Sequence, residues 1–209
     1  MLFTSKSKEE ELSGQIHTSK NELPQSQGPR ADQETFKSFR SHFPRACVDL
    51  WIVLGGTAVD GQLWFSKNDR ILLTRRNILP YKGELYIPGG SLVKGETLQQ
   101  AVSRKMKAEL GLEKFNQPSS FNKVVEHEPG PFHIYQNYYP DSEEGVSGHD
   151  VVMVFCILIE EQDLTKISLD EDNAEWRAIP IAELAAPDSA YHPNVVACAR
   201  AFMAQFRPV

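Results

Sequence analysis

Two adjacent glycines, Gly89 and Gly90, are followed by Glu96, Arg104 and Glu109 in the stretch GGSLVKGETLQQAVSRKMKAELGL. Glycine lets the backbone approach a phosphate or a metal closely. A helix that follows such a loop can aim a carboxylate from its far turns at the same point. A hard divalent cation held by carboxylate oxygen can bridge the oxygens of a diphosphate. Arg104 lies within reach of the loop acid Glu96, and the pair reads as a structural clamp. Lys105 lies one helical turn before Glu109, so the two can form an ion pair. With one carboxylate in those far turns, the stretch alone cannot hold several cations.

These residues need a strand before the loop and a helix after it. The helix is predicted over 96–110, where Leu98, Val102, Met106 and Leu110 form one apolar stripe and Gly111 supplies the stop. ELYIPGG is a short strand entering the loop. Upstream, ACVDLWIVLGG reads as a strand, VDGQ as a turn, and QLWFS and RILLTRR as two further strands. Before them, Phe36, Phe39 and Phe43 mark one stripe of a short helix that Pro44 ends. Downstream, strands are predicted at 121–128, 133–139, 150–160 and 174–179, and NVVACARAFMAQF closes the chain as a helix. This order gives an α+β or α/β sandwich, not a regular βαβ repeat. Residues 1–31 are polar and charged with few large apolar side chains, and read as a flexible tail before a domain over 32–209.

The glycine-to-leucine stretch resembles the Nudix box, G-x5-E-x7-R-E-U-x-E-E-x-G-U, at Gly90, Glu96, Arg104, Met106, Glu109, Gly111 and Leu112. The resemblance implies the Nudix fold, an α/β/α sandwich with a mixed sheet flanked by helices. Within that superfamily the chain is similar to the GDP-mannose mannosyl hydrolase branch, which also lacks two of the three helix glutamates. QETF at Gln33–Phe36, VDLWIV, LLTRR, SGHD at 147–150, DEDNAEWR at 170–177 and HPN at 192–194 extend the likeness across about residues 32–206. What it implies is a catalytic set of Arg76, Glu109 and Asp172, with Asp49 and Arg76 contacting substrate and Arg76 facing the leaving group. It also implies one Mg2+, with Mn2+ as an alternative, on Glu109, the Gly89 carbonyl and Asp172. Gly90, Glu96, Arg104 and Gly111 are the structural members of the box. The implied assembly is a homodimer.

The departures from that pattern are Lys105 and Ala108 in place of glutamates, Asn173 in place of the branch's histidine base, Phe155 in place of a tyrosine, and Ser91 in place of an arginine. His149 is a candidate substitute base. Three functions stay open. The first is a Mg2+-dependent hydrolase of a nucleoside diphosphate sugar that attacks the anomeric carbon. The second is a pyrophosphohydrolase that cuts between phosphorus atoms, using acids such as Glu171 or Glu175. The third is a catalytically silent nucleotide-binding module.

Composition narrows the partners. The net charge is -6 and no Lys/Arg-rich block stands out, which argues against nucleic acid. The longest apolar runs are strand-sized, so no membrane partner is expected. Cys47, Cys156 and Cys198 show no metal spacing and read as buried thiols in a reducing compartment. With no signal peptide in MLFTSKSKEEELSG, the expected location is cytoplasmic.

Overall fold

A computed structural model describes residues 32–59, 62–117, 130–142 and 145–206. The chain runs through helix α1 (Gln33–His42), strand β1 (Arg45–Leu54), strands β2 (Thr57–Val59) and β3 (Gln62–Trp64), then β4 (Arg70–Arg76), β5 (Leu85–Tyr86) and β6 (Gly89–Ser91). Helix α2 (Leu98–Leu110) follows, then β7 (His133–Tyr139), β8 (Gly148–Ile159), β9 (Asn173–Pro180), the short α3 (Ile181–Ala185) and α4 (Pro193–Gln205). The tail at 1–31 and the strand expected at 121–128 lie outside the described residues.

β1 is the axis of the fold. It pairs in parallel with β8 along its whole length, from Arg45 opposite Asp150 to Leu54 opposite Ile159. Its other edge is shared by β6 at Cys47–Asp49 and β4 at Ile52–Leu54, both antiparallel. β9 and β5 extend the sheet from β4, and β7 extends it from β8. Successive side chains on β1 alternate between two cores. Trp51 and Val53 pack with Val195, Cys198 and Phe202 of α4, whereas Leu50, Ile52 and Leu54 pack with Val102, Met106 and Leu110 of α2. A strand buried on both faces reads as a continuous apolar run, which is what VDLWIVL shows. The result is the mixed sheet between helices that the sequence predicts.

Local chemistry sets the helix ends. Thr97 caps α2 through a capping box with Gln100, and Gly111 closes it in the left-handed conformation. The helix therefore begins at Leu98, the first residue of the stripe and two residues after the predicted start at 96. Asp32 caps α1 by accepting the Thr35 N–H at 2.9 Å. The phenylalanine stripe of α1 does not form a buried face: Phe39 and Phe43 are exposed, and the residue that the helix buries is Arg40. A charged anchor wins there because the Arg40 guanidinium donates to the Tyr139 hydroxyl at 2.6 Å and lies over the Phe36 and Tyr139 rings. All three cysteines are buried free thiols. Among the described residues, no helix is long and apolar enough to cross a membrane.

Candidate active site

The two partners on one edge of β1 leave a fork in the sheet. The chain pairs with β4 at Leu85–Tyr86 and reaches β1 at Gly89, crossing the fork in between. A cavity of about 210 Å³ opens here, and Asp49, Arg76, Gly89, Glu109 and Asp172 all line it. Five residues spread over more than a hundred positions of sequence are thus brought to one place.

Glu109 reaches the loop from the last turn of α2. Its Oε2 accepts the Gly89 N–H at 3.0 Å and its Oε1 accepts from the Lys105 ammonium at 2.8 Å. Burial raises its pKa, against the pull of the Lys105 charge. The remainder of the loop is fastened to α2 by Arg104. Arg104 donates to Glu96 at 2.9 and 2.6 Å and to the Ser91 carbonyl at 2.9 Å, while Glu96 accepts the Val93 N–H at 2.5 Å. Burial works against the Glu96 carboxylate, but these bonds win and hold its pKa below the ordinary value.

Asp49 is a carboxylate in an otherwise apolar strand, 5% exposed. The Tyr135 hydroxyl donates to its Oδ2 at 2.6 Å. Its Oδ1 lies 2.3 Å from where a Cβ on Gly89 would stand, so only glycine fits opposite it. Burial pushes its pKa up to about 7; the Tyr135 hydrogen bond opposes the rise and the nearby Glu109 adds to it. Arg76, at the end of β4, donates from Nε to the Pro80 carbonyl at 2.7 Å, with its guanidinium over the Tyr86 ring. Asp172 is exposed at the cavity rim, and its carbonyl accepts the Asn77 N–H at 2.8 Å. Asn173 beside it is buried and donates to Asp170 at 2.8 Å.

Other expected residues fall elsewhere. His149 points away from the cavity, stacked on Tyr138 at 4.2 Å, because its neighbour Asp150 takes the inward side of β8. Phe155 is packed in the core under α2. Glu175 is tied to Arg75 at 2.7 Å and Arg177 at 3.1 Å, and neither it nor Glu171 lines the cavity.

The sequence reading missed a second charged cluster in the cavity wall. Arg45 makes a two-pronged bond to Asp150, Nε–Oδ1 at 2.9 Å and a terminal nitrogen to Oδ2 at 2.7 Å. Tyr139 joins both to Arg40 through its hydroxyl. The only signal was an arginine just before one predicted strand and an aspartate opening another, and their pairing needs the parallel register. Gly148 gives the Tyr139 ring its space, since a Cβ there would lie 2.0 Å from the ring. Gly148→Ala is expected to destabilise the protein by about 1–3 kcal/mol through overpacking. Thermal or urea unfolding reads this; an unchanged midpoint would show that the ring has somewhere else to go.

Comparison with known proteins agrees with this architecture. The NUDIX domain family matches residues 50–198. An ADP-ribose pyrophosphatase of Methanocaldococcus jannaschii is 46% identical over 55 residues, which is 26% of this chain and 31% of that protein. Among solved structures, the NUDIX domain of Shewanella oneidensis NrtR complexed with ADP ribose is similar with a TM-score of 0.52 and 17% identity, over 84% of this chain and 98% of that one. The C. elegans Ap4A hydrolase is similar with a TM-score of 0.51 and 15% identity, over 77% and 96%.

Nudix hydrolases generally use divalent metals such as Mg2+. The donors here do not fit that ion as they stand. Both Glu109 oxygens are engaged, one of them by an ammonium. Among the described residues, no group of three or more His, Cys, Asp or Glu side chains is placed to hold a metal ion. The family match spans most of the chain, from the centre of β1 into α4, and by it the chain belongs to the NUDIX domain family.

Proposed function

We propose that the chain hydrolyses a nucleoside diphosphate sugar by attack of water at the anomeric carbon. The observation that carries this reading is the meeting of Asp49 with Arg76 and Lys105 in one cavity. A buried carboxyl that titrates near neutrality suits a general base. It takes a proton from water as the water oxygen bonds to the sugar carbon. The carbon–oxygen bond to phosphate breaks, and its electron pair leaves on the nucleoside diphosphate, where the cations meet the developing charge. The products are free sugar and nucleoside diphosphate.

The likeness to an ADP-ribose pyrophosphatase favours a second reading, cleavage between phosphorus atoms. The two readings separate by substrate. A hexose linked through its anomeric carbon can form an oxocarbenium ion, whereas the terminal ribose of ADP-ribose is joined through its primary carbon and cannot. The acids suggested for phosphorus attack, Glu171 and Glu175, lie outside the cavity lining, which supports the carbon route.

The test is phosphorus NMR of purified protein with GDP-mannose and with ADP-ribose, in EDTA and in Mg2+. GDP with free mannose is the expected result. GMP with mannose 1-phosphate, or AMP with ribose 5-phosphate, would establish the second reading. Thermal stabilisation by these nucleotides without turnover would make the chain a binding module.

A further inference from the structure

We propose that the Lys105 ammonium is a tethered cation that receives the diphosphate in this cavity, so that diphosphate binding needs no divalent metal. The inference rests on reading the cavity as a diphosphate site. Lys105 Nζ is 2.8 Å from Glu109 Oε1, and both side chains are largely buried, at 19% and 8% exposed. The ammonium also lies over the glycine turn. A Cβ added to Gly90 would stand 2.6 Å from Nζ and 2.9 Å from Cε. A positive charge is therefore wedged between the loop backbone and the helix carboxylate, where a bridging cation would otherwise act.

Both oxygens of the carboxylate already have partners. Its second oxygen is held by the Gly89 N–H. An ammonium has three donors and Glu109 takes one, which leaves capacity for phosphate oxygens on the cavity side. Arg76 lines the same cavity, so a compact point charge and a planar fork can both face a diphosphate, whereas Arg45 is spent on Asp150.

The experiment is calorimetric titration of the full chain with inorganic pyrophosphate, in EDTA and then in Mg2+. Binding in EDTA at least as tight as in Mg2+ is expected. Lys105→Gln should weaken binding about tenfold or more in either condition, and Lys105→Arg should keep most of it. Glu109→Gln is the sharper variant: if the ammonium is the receptor, releasing it from its partner tightens pyrophosphate binding, whereas loss of a metal ligand would weaken it. Binding abolished by EDTA and restored by Mg2+, or weakened by Glu109→Gln, overturns the assignment, as does no pyrophosphate binding at all. Pyrophosphate binding in EDTA without turnover of any nucleotide sugar would keep the Lys105 assignment and remove the hydrolase reading. Turnover with pyrophosphate binding only in Mg2+ would do the reverse.

Discussion

Asp49→Asn is expected to lower kcat by about 10²–10⁴-fold, the range that loss of a general base produces. The substitution keeps shape and removes only the titrating oxygen, so the Tyr135 hydroxyl still finds an acceptor. In the unsubstituted enzyme the rate should rise with pH and level off above about 7, because the base must be ionised and burial holds its pKa there. That step should vanish in the variant. Stability supplies an independent check. The folded state holds the Asp49 proton to about pH 7, whereas an unburied aspartate releases it near 3.8. Between those values the folded state binds more protons than the unfolded chain. This contribution is therefore complete below about pH 4 and lost as pH rises through about 7. Asp49→Asn should flatten that decline in urea unfolding. An unchanged pH–rate profile in the variant would take the base role away from Asp49, and an unchanged stability profile would show that its pKa is not raised.

What the sequence revealed about this site, and what it concealed, follows from the range of the interactions. Helix α2 was legible because its signals are local: a stripe with a four-residue repeat that Gly111 closes, whereas the Thr97 cap, also local, was passed over. The Lys105–Glu109 pair was legible for the same reason, as neighbours one turn apart. That the ammonium also packs over Gly90 was not, since it depends on how α2 sits against β6. Arg45 and Asp150 are 105 positions apart and meet only because β1 and β8 run parallel in register. His149 was a candidate base only until the inward face of β8 was known, which Asp150 takes instead. In α1 the apolar stripe misled, because the energetically decisive contact is made by Arg40, one turn after Phe36, which reaches Tyr139. Asp49 is an intermediate case: a carboxylate inside VDLWIVL is conspicuous, yet its raised pKa arises from burial and from Glu109, neither of which is a local property.

Arg76→Ala should lower kcat by about 10²–10³-fold, the effect of removing one preorganised group that meets transition-state charge. The backbone aims this side chain. The β4–β9 register shifts between Arg75 and Arg76, and such irregularities bend a strand and redirect its side chains. Arg75 goes outward to Glu175, whereas Arg76 turns into the cavity. The Pro80 carbonyl then fixes Nε and the Tyr86 ring supports the guanidinium plane, which presents the remaining nitrogens as a rigid fork. A lysine can supply the charge but not the fork, so Arg76→Lys should recover only part of the loss. The division between kcat and KM decides what Arg76 does. Charge that accumulates on the departing diphosphate is greatest in the transition state, so a leaving-group role appears as a fall in kcat with KM little changed. A rise in KM at constant kcat would mean that Arg76 holds substrate and transition state equally. In that case departure of the diphosphate would depend on Lys105, the cation beside the glycine loop.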